Sequence, residues 1–330
     1  MKLIDQRVWE GMHLKSIQKN VYGIEVELEN WQGAKLPANI NRVFVLDDDP
    51  SLRGGVEFVS EPLTQTALKA SLRTLDEVIE EQDLKTSQRC SIHIHMNTLN
   101  MTWGQLWSLM ALNTYLEPEM FNHFAPERDL NHFCVPTYLN TYLQQLLSND
   151  IFSLKKLEPV DICTDLPNTP EPSLQDYITA TAGTPAPEWQ PPPQACYEGI
   201  AKRPASIQLL KYIQSIGVSS LKYGAMTLYR MADLGTVEFR ILPGSTNMQD
   251  AIDWLRFLGK LKFHAMKYKD PLDLQHWIES ITKKHMWEKV LSVGPIPSTT
   301  EFQRQESRAA AFKIIGSEPM QNESTEWSIS

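Results

Sequence analysis

The sequence lacks paired cysteines. Its four, Cys90, Cys134, Cys163 and Cys196, are widely spaced and form no C-x-x-C pair. That spacing argues against a disulfide scaffold and reads as free thiols in a reducing compartment. Long apolar runs are missing too. The opening stretch, MKLIDQRVWEGMHLKSIQKN, has no signal-peptide core, and nothing approaches the ~18 apolar residues of a membrane span. Neither G-x-x-x-x-G-K-[ST] nor G-x-G-x-x-G occurs, so a Gly-rich nucleotide loop is excluded. Basic residues are in deficit: 31 Lys and Arg stand against 40 Asp and Glu, a net charge of −9. This excess of acid argues against a general nucleic-acid binder. The expectation is a cytoplasmic protein with neither a membrane nor a nucleic acid as partner.

What is present is a globular chain. Its 330 residues allow one large domain or two ordinary ones, and bury enough core to fold without a disulfide or metal staple. Apolar residues alternate with polar ones over Val21–Glu29, Val56–Ser60, Cys90–Asn97 and Thr236–Leu242, which predicts strands. Shorter strands are predicted over 42–46 and 226–230. Three- and four-residue apolar spacings predict helices over 64–84, 102–116, 137–147, 206–216, 247–261, 272–280 and 282–291. Residues 158–204 break the pattern. They hold ten of the 21 prolines and read as a lid or surface excursion rather than a linker, because strand signals resume after them. The domain plan is therefore an arm over 1–19, a catalytic domain over 20–295 and a polar, disordered tail over 296–330.

Three strands each carry two polar groups two residues apart: Glu25 and Glu27, His93 and His95, Glu238 and Arg240. Side chains at i and i+2 of a strand share a face, so each strand offers one polar pair and turns an apolar set towards helices behind. Glu57 follows the same pattern. Any one pair alone fits a solvated strand or an ordinary cross-sheet salt bridge. On one sheet they collect four carboxylates, two imidazoles and a guanidinium. The carboxylates repel and raise one another's pKa, and a divalent cation relieves that. Hard oxygens with an imidazole suit Mg²⁺ or Mn²⁺. Lys222, Arg230 and Arg240 can then meet phosphate oxygens, which is equipment for phosphoryl transfer without a P-loop. Asp47-Asp48-Asp49-Pro50 reads as a turn, or as carboxylates for an incoming amine. Cys90 and Cys134 read as packed thiols.

Six motifs in order resemble the amidoligase family: Gly23-Ile24-Glu25-Val26-Glu27; Asp49-Pro50-Ser51-Leu52 with Val56 to Leu63; Ile92-His93-Ile94-His95; Arg128 to Cys134; Lys222-Tyr223; and Gly235 to Arg240. These carboxylate–amine ligases share their fold with glutamine synthetase and glutamate–cysteine ligase. The resemblance covers roughly residues 20–265. It implies an α+β fold with a curved, mainly antiparallel sheet lining the active site and helices on its outer face. It implies ligation driven by ATP through an acyl-phosphate, with carboxylate and amine substrates that are small molecules or peptides. By position, Glu25, Glu27, Glu57, His93 and Glu238 match metal ligands for Mg²⁺ or Mn²⁺. His95, Lys222 and Arg240 match residues near the ATP phosphates, and Arg240 is expected to be catalytic. Arg128 matches an arginine on phosphate or substrate carboxylate. Three alternatives stay open on the same motifs: a phosphotransferase resembling the guanidino kinases, a metal-dependent hydrolase, and an assembly protein that keeps the fold without turnover.

Overall fold

The computed structural model describes residues 21–33, 35–98, 101, 103–128, 134–140, 223–228, 230 and 234–316. The predicted helix over 206–216, the excursion over 158–204 and Lys222 lie outside them. So does most of the predicted helix over 137–147, of which Thr137–Leu139 forms a turn.

The fold is α+β. The strands β1 (Val21–Leu28), β2 (Phe44–Asp47), β3 (Val56–Ser60), β4 (Leu63–Thr64), β5 (Ile92–Asn97), β6 (Met226–Thr227) and β7 (Thr236–Phe239) form one sheet. Its order is β2-β3-β1-β5-β7-β6, with β4 against the start of β1. All pairings among the described strands are antiparallel. Alternation dictates the two faces. Ile24, Val26 and Leu28, Phe58, Ile92, Ile94 and Met96, and Val237 and Phe239 fill one face and are buried. Burying each such side chain stabilises the fold by roughly 1.5–3 kcal/mol.

Helix α1 (Gln65–Glu81) starts where Thr64 Oγ1 accepts the backbone N–H of Ala67. Its stripe of Leu68, Leu72, Leu75, Val78 and Ile79 is buried. Gln65 Nε2 donates to the carbonyl of Leu255, on a later helix (Met248–Ala265), at 2.8 Å. In that helix Gly259 lets the backbone approach: a Cβ there would sit 2.5 Å from Gln65 Nε2 and 3.5 Å from the Tyr22 hydroxyl. Tyr22 shares the parity of Ile24, so both helices lie on the apolar side of the sheet.

The chain divides into two compact units. The first comprises Met1–Thr102 and Glu158–Gly259, and the second Trp103–Leu157 and Lys260–Ser330. The second unit is helical among its described residues. Helix α2 (Trp103–Phe124) continues past the predicted end at Leu116 and through Pro118. Its described side chains are apolar or buried nearly all round, which holds it as a core helix despite the amide hydrogen that proline lacks. Helices α3 (Met248–Ala265), whose last residues belong here, α4 (Pro271–Ser280) and α5 (Glu301–Ile315) belong to it, with a single helical turn over Lys283–His285 and a π-helical turn over Met286–Val290 between α4 and α5. Lys283 Nζ donates to Glu119 Oε2 at 3.1 Å, and Thr299 Oγ1 donates to Glu119 Oε1 at 3.2 Å.

Helix α5 corrects the expectation of a disordered tail from residue 296. Thr300 and Gln303 form a reciprocal capping box at its start, and Ala311, Phe312 and Ile314 are buried. No described helix is long and apolar enough to cross a membrane. Cys90 and Cys134 are buried.

Candidate metal centre

Directly opposed residues of antiparallel strands share a face. Glu27 opposes Glu57, and Glu57 opposes Asp47. Glu25 opposes His93, and His95 opposes Glu238. The two-residue period therefore places Glu25, Glu27, Glu57, His93, His95 and Glu238 together, opposite the apolar face. Arg240 follows in phase just past β7, where its N–H donates to the carbonyl of Ala225 at 2.8 Å. These polar groups are not a solvated surface: Glu27 is 6% exposed, His93 3%, His95 4% and Glu238 4%. Buried charge must be paired or neutralised, so this face has to be read as a network.

Glu25 is its hub. Oε2 lies 3.0 Å from His93 Nδ1, and Oε1 lies 3.1 Å from His95 Nε2. Burial alone would raise the Glu25 pKa, but the charge of His95 and hydrogen bonds from both imidazoles outweigh it and hold the carboxyl well below its usual range. His95 answers in kind. Desolvation pushes it down, yet Glu25, by charge and hydrogen bond, and Glu238 lift it above the ordinary histidine value. The other ring nitrogen, Nδ1, is 3.2 Å from Thr236 Oγ1. Arg240 Nη1 donates to Glu238 Oε1 and lies 3.4 Å from His93 Nδ1.

Glu57 has no such help. Burial, then the charges of Glu25, Glu27, Asp49 and Asp47, push its carboxyl up to about 10. Asp49 has its own task in the turn, where Oδ1 accepts the N–H of Ser51 at 2.7 Å.

Two residue sets offer three ligand atoms within 4.8 Å of one another: Glu25 with His95 and Glu238, and Glu25 with Glu57 and His93. Hard carboxylate oxygens with one imidazole in each fit Mg²⁺ or Mn²⁺. A carboxyl that stays protonated near neutral pH for want of positive charge fits a cation as well.

Of the residues singled out in the sequence, the structure brings together Glu25, Glu27, Glu57, His93, His95, Glu238 and Arg240. Arg128 belongs to the second unit, buried on a 3-10 turn over Pro126–Arg128. Two hydroxyls escaped the sequence reading. Thr236 is one. Ser91 is the other: its N–H and hydroxyl both meet Glu27 Oε2, at 2.7 and 2.6 Å. Its phase, two residues before His93 and four before His95, was the available signal.

No protein-family model matches the chain, and no curated protein matches it in sequence.

Proposed function

We propose that the chain is an ATP-dependent carboxylate–amine ligase, and that its antiparallel sheet is the catalytic sheet of a glutamine synthetase-like fold. One observation carries this reading: four glutamates, two histidines and Arg240 gather on one face of the sheet, on strands whose motifs resemble the amidoligases in order and spacing. A core sheet has no structural use for so much buried charge.

Glu25, Glu27, Glu57, His93 and Glu238 would hold the Mg²⁺ or Mn²⁺, which when bound lowers the phosphate charge that an attacking carboxylate must approach. His95 and Lys222 serve the ATP phosphates. Arg240 presents a planar fork suited to the transferred phosphoryl group. An oxygen of the substrate carboxylate attacks the γ-phosphorus and ADP leaves, giving an acyl-phosphate. The amine nitrogen then attacks the acyl carbon, phosphate departs with the bonding pair, and the amine proton is lost to a base. The acyl-phosphate survives only where water is excluded, which the burial of this face favours.

The test is a screen of acids and amines for phosphate release that requires both partners and ATP, followed by mass spectrometry. An amide product with free phosphate supports the ligase. A stable phosphorylated product instead makes the protein a phosphotransferase, and hydrolysis without ATP makes it a metal-dependent hydrolase.

A further inference from the structure

Ser91 stands immediately before β5 and touches two residues of the candidate centre at once. Its backbone N–H and its hydroxyl lie 2.7 and 2.6 Å from Glu27 Oε2, and the same hydroxyl lies 2.7 Å from His93 Nε2. The backbone of the two strands locks this arrangement, since the N–H of Glu27 donates to the carbonyl of Ser91 at 3.1 Å. Ser91 is buried, at 4% exposed, so water does not compete for these bonds.

A serine hydroxyl has one proton to give, and an ionised carboxylate can only accept. If Ser91 gives that proton to Glu27, its oxygen can only accept from His93. Nε2 must then carry the ring hydrogen, and Nδ1 keeps its lone pair in the neutral ring. Nδ1 is the nitrogen turned towards the cluster. Glu25 Oε2 lies 3.0 Å from it, Glu238 Oε1 3.6 Å and Arg240 Nη1 3.4 Å. Arginine only donates, so its approach calls for a lone pair on Nδ1. Glu25 makes the opposite demand, because a carboxylate that close calls for a proton. One cation shared by Nδ1 and Glu25 Oε2 gives the carboxylate its positive charge and takes the Nδ1 lone pair, leaving Arg240 Nη1 to donate to Glu238 Oε1: two ligand atoms about 2.1 Å from one ion, at right angles, stand about 3.0 Å apart. The second histidine is held differently: Glu25 Oε1 lies 3.1 Å from its Nε2, and the hydroxyl of Thr236, which can give or take, lies 3.2 Å from its Nδ1.

We propose that Ser91 is a positioning residue of this centre: by donating to Glu27 and accepting from His93 Nε2–H, it fixes the histidine tautomer that presents Nδ1 to a divalent cation. The proposal rests on the metal-centre part of the ligase reading and goes beyond it by assigning the ligating nitrogen and the residue that selects it. Outer hydroxyl and carboxylate partners of this kind are worth about 10–100-fold in metal affinity.

The experiment uses the full chain labelled with ¹⁵N-histidine and saturated with Mg²⁺, with long-range ¹H–¹⁵N correlation reading the tautomer of His93. Its signals are assigned by their loss in His93→Gln. Mn²⁺ binding is measured in parallel by calorimetry for wild type, Ser91→Ala and Ser91→Thr. Expected are a protonated Nε2 with unprotonated Nδ1 in wild type, mixed tautomers with about 10–100-fold weaker Mn²⁺ binding in Ser91→Ala, and recovery to within a few-fold in Ser91→Thr. Wild type with its hydrogen on Nδ1 overturns the proposal, and that spectrum needs no variant to fold. Equal Mn²⁺ affinity and an unchanged tautomer in Ser91→Ala overturn it as well, leaving the metal centre standing. Absence of Mn²⁺ binding by wild type removes the metal centre itself and this proposal with it.

Discussion

Replacing Glu57 with glutamine isolates the electrostatic cost of gathering four glutamates on one sheet face. Glu57 sits between Glu27 and Asp47 in the register, and its carboxyl is pushed up to about 10. At pH 7 the group is therefore protonated in the metal-free protein. Ionising it there costs at most roughly 4 kcal/mol, less whatever water recovers at this half-buried position. A divalent cation that takes Glu57 as a ligand has to displace that proton. The wild type should thus release about one proton per Mn²⁺ bound, and its apparent affinity should rise with pH, up to about tenfold per pH unit. Glutamine has no proton to lose. Glu57→Gln should bind Mn²⁺ with almost no proton release, while its stability at pH 7 stays within about 1 kcal/mol of wild type because one neutral group replaces another. Calorimetry in two buffers of different ionisation enthalpy counts the protons, and urea unfolding reads the stability. Tight Mn²⁺ binding by wild type with no proton release would mean that Glu57 is not protonated or is not a ligand. So would undiminished proton release from Glu57→Gln.

Three further outcomes follow from particular contacts. Glu117, fully buried in α2, accepts from Thr137 Oγ1 and the Tyr138 N–H, yet desolvation leaves its carboxyl at about 8 against an ordinary 4.5. The folded state therefore keeps a proton that the unfolded chain loses, so its contribution is full below pH 4.5 and lost as pH rises to about 8. Between pH 5 and pH 8 wild type should lose up to about 4 kcal/mol relative to Glu117→Gln, and parallel pH dependence in denaturant titrations would refute this. Arg240→Lys keeps the charge but not the fork, so ATP affinity should stay within a few-fold while turnover falls by roughly two orders of magnitude. Turnover near wild type would reduce Arg240 to the sheet-face partner of Glu238 that its hydrogen bond also describes. Thr300→Ala removes half of the α5 capping box and should cost about 1 kcal/mol in thermal or urea unfolding; no change would mean that the cap contributes nothing.

The alternation around Glu25, Glu27, His93, His95 and Glu238 made one face of the sheet legible from sequence, because a strand allows only two directions for a side chain. Burial of that face was not legible, since a strand pattern of polar and apolar residues is the same whether the polar side meets water or protein. The division into two units escaped for a related reason. Helix α2 is buried nearly all round, so it shows no amphipathic stripe to say which core it joins. Helix α5 was hidden by its polar composition, although Thr300 and Gln303 at capping-box spacing were a readable start signal. Ser91 escaped because a hydroxyl acquires meaning only from its partners, and Glu27 reaches it across a strand pairing 64 residues distant in sequence.

The central claim is that this face holds a divalent cation for ATP. Calorimetric titration of ATP into the metal-free chain, repeated with saturating Mg²⁺, tests it most directly. ATP binding should require Mg²⁺ and weaken in Glu25→Gln, which removes the carboxylate common to both ligand sets. ATP binding of equal strength with and without Mg²⁺, or no binding in either case, contradicts it.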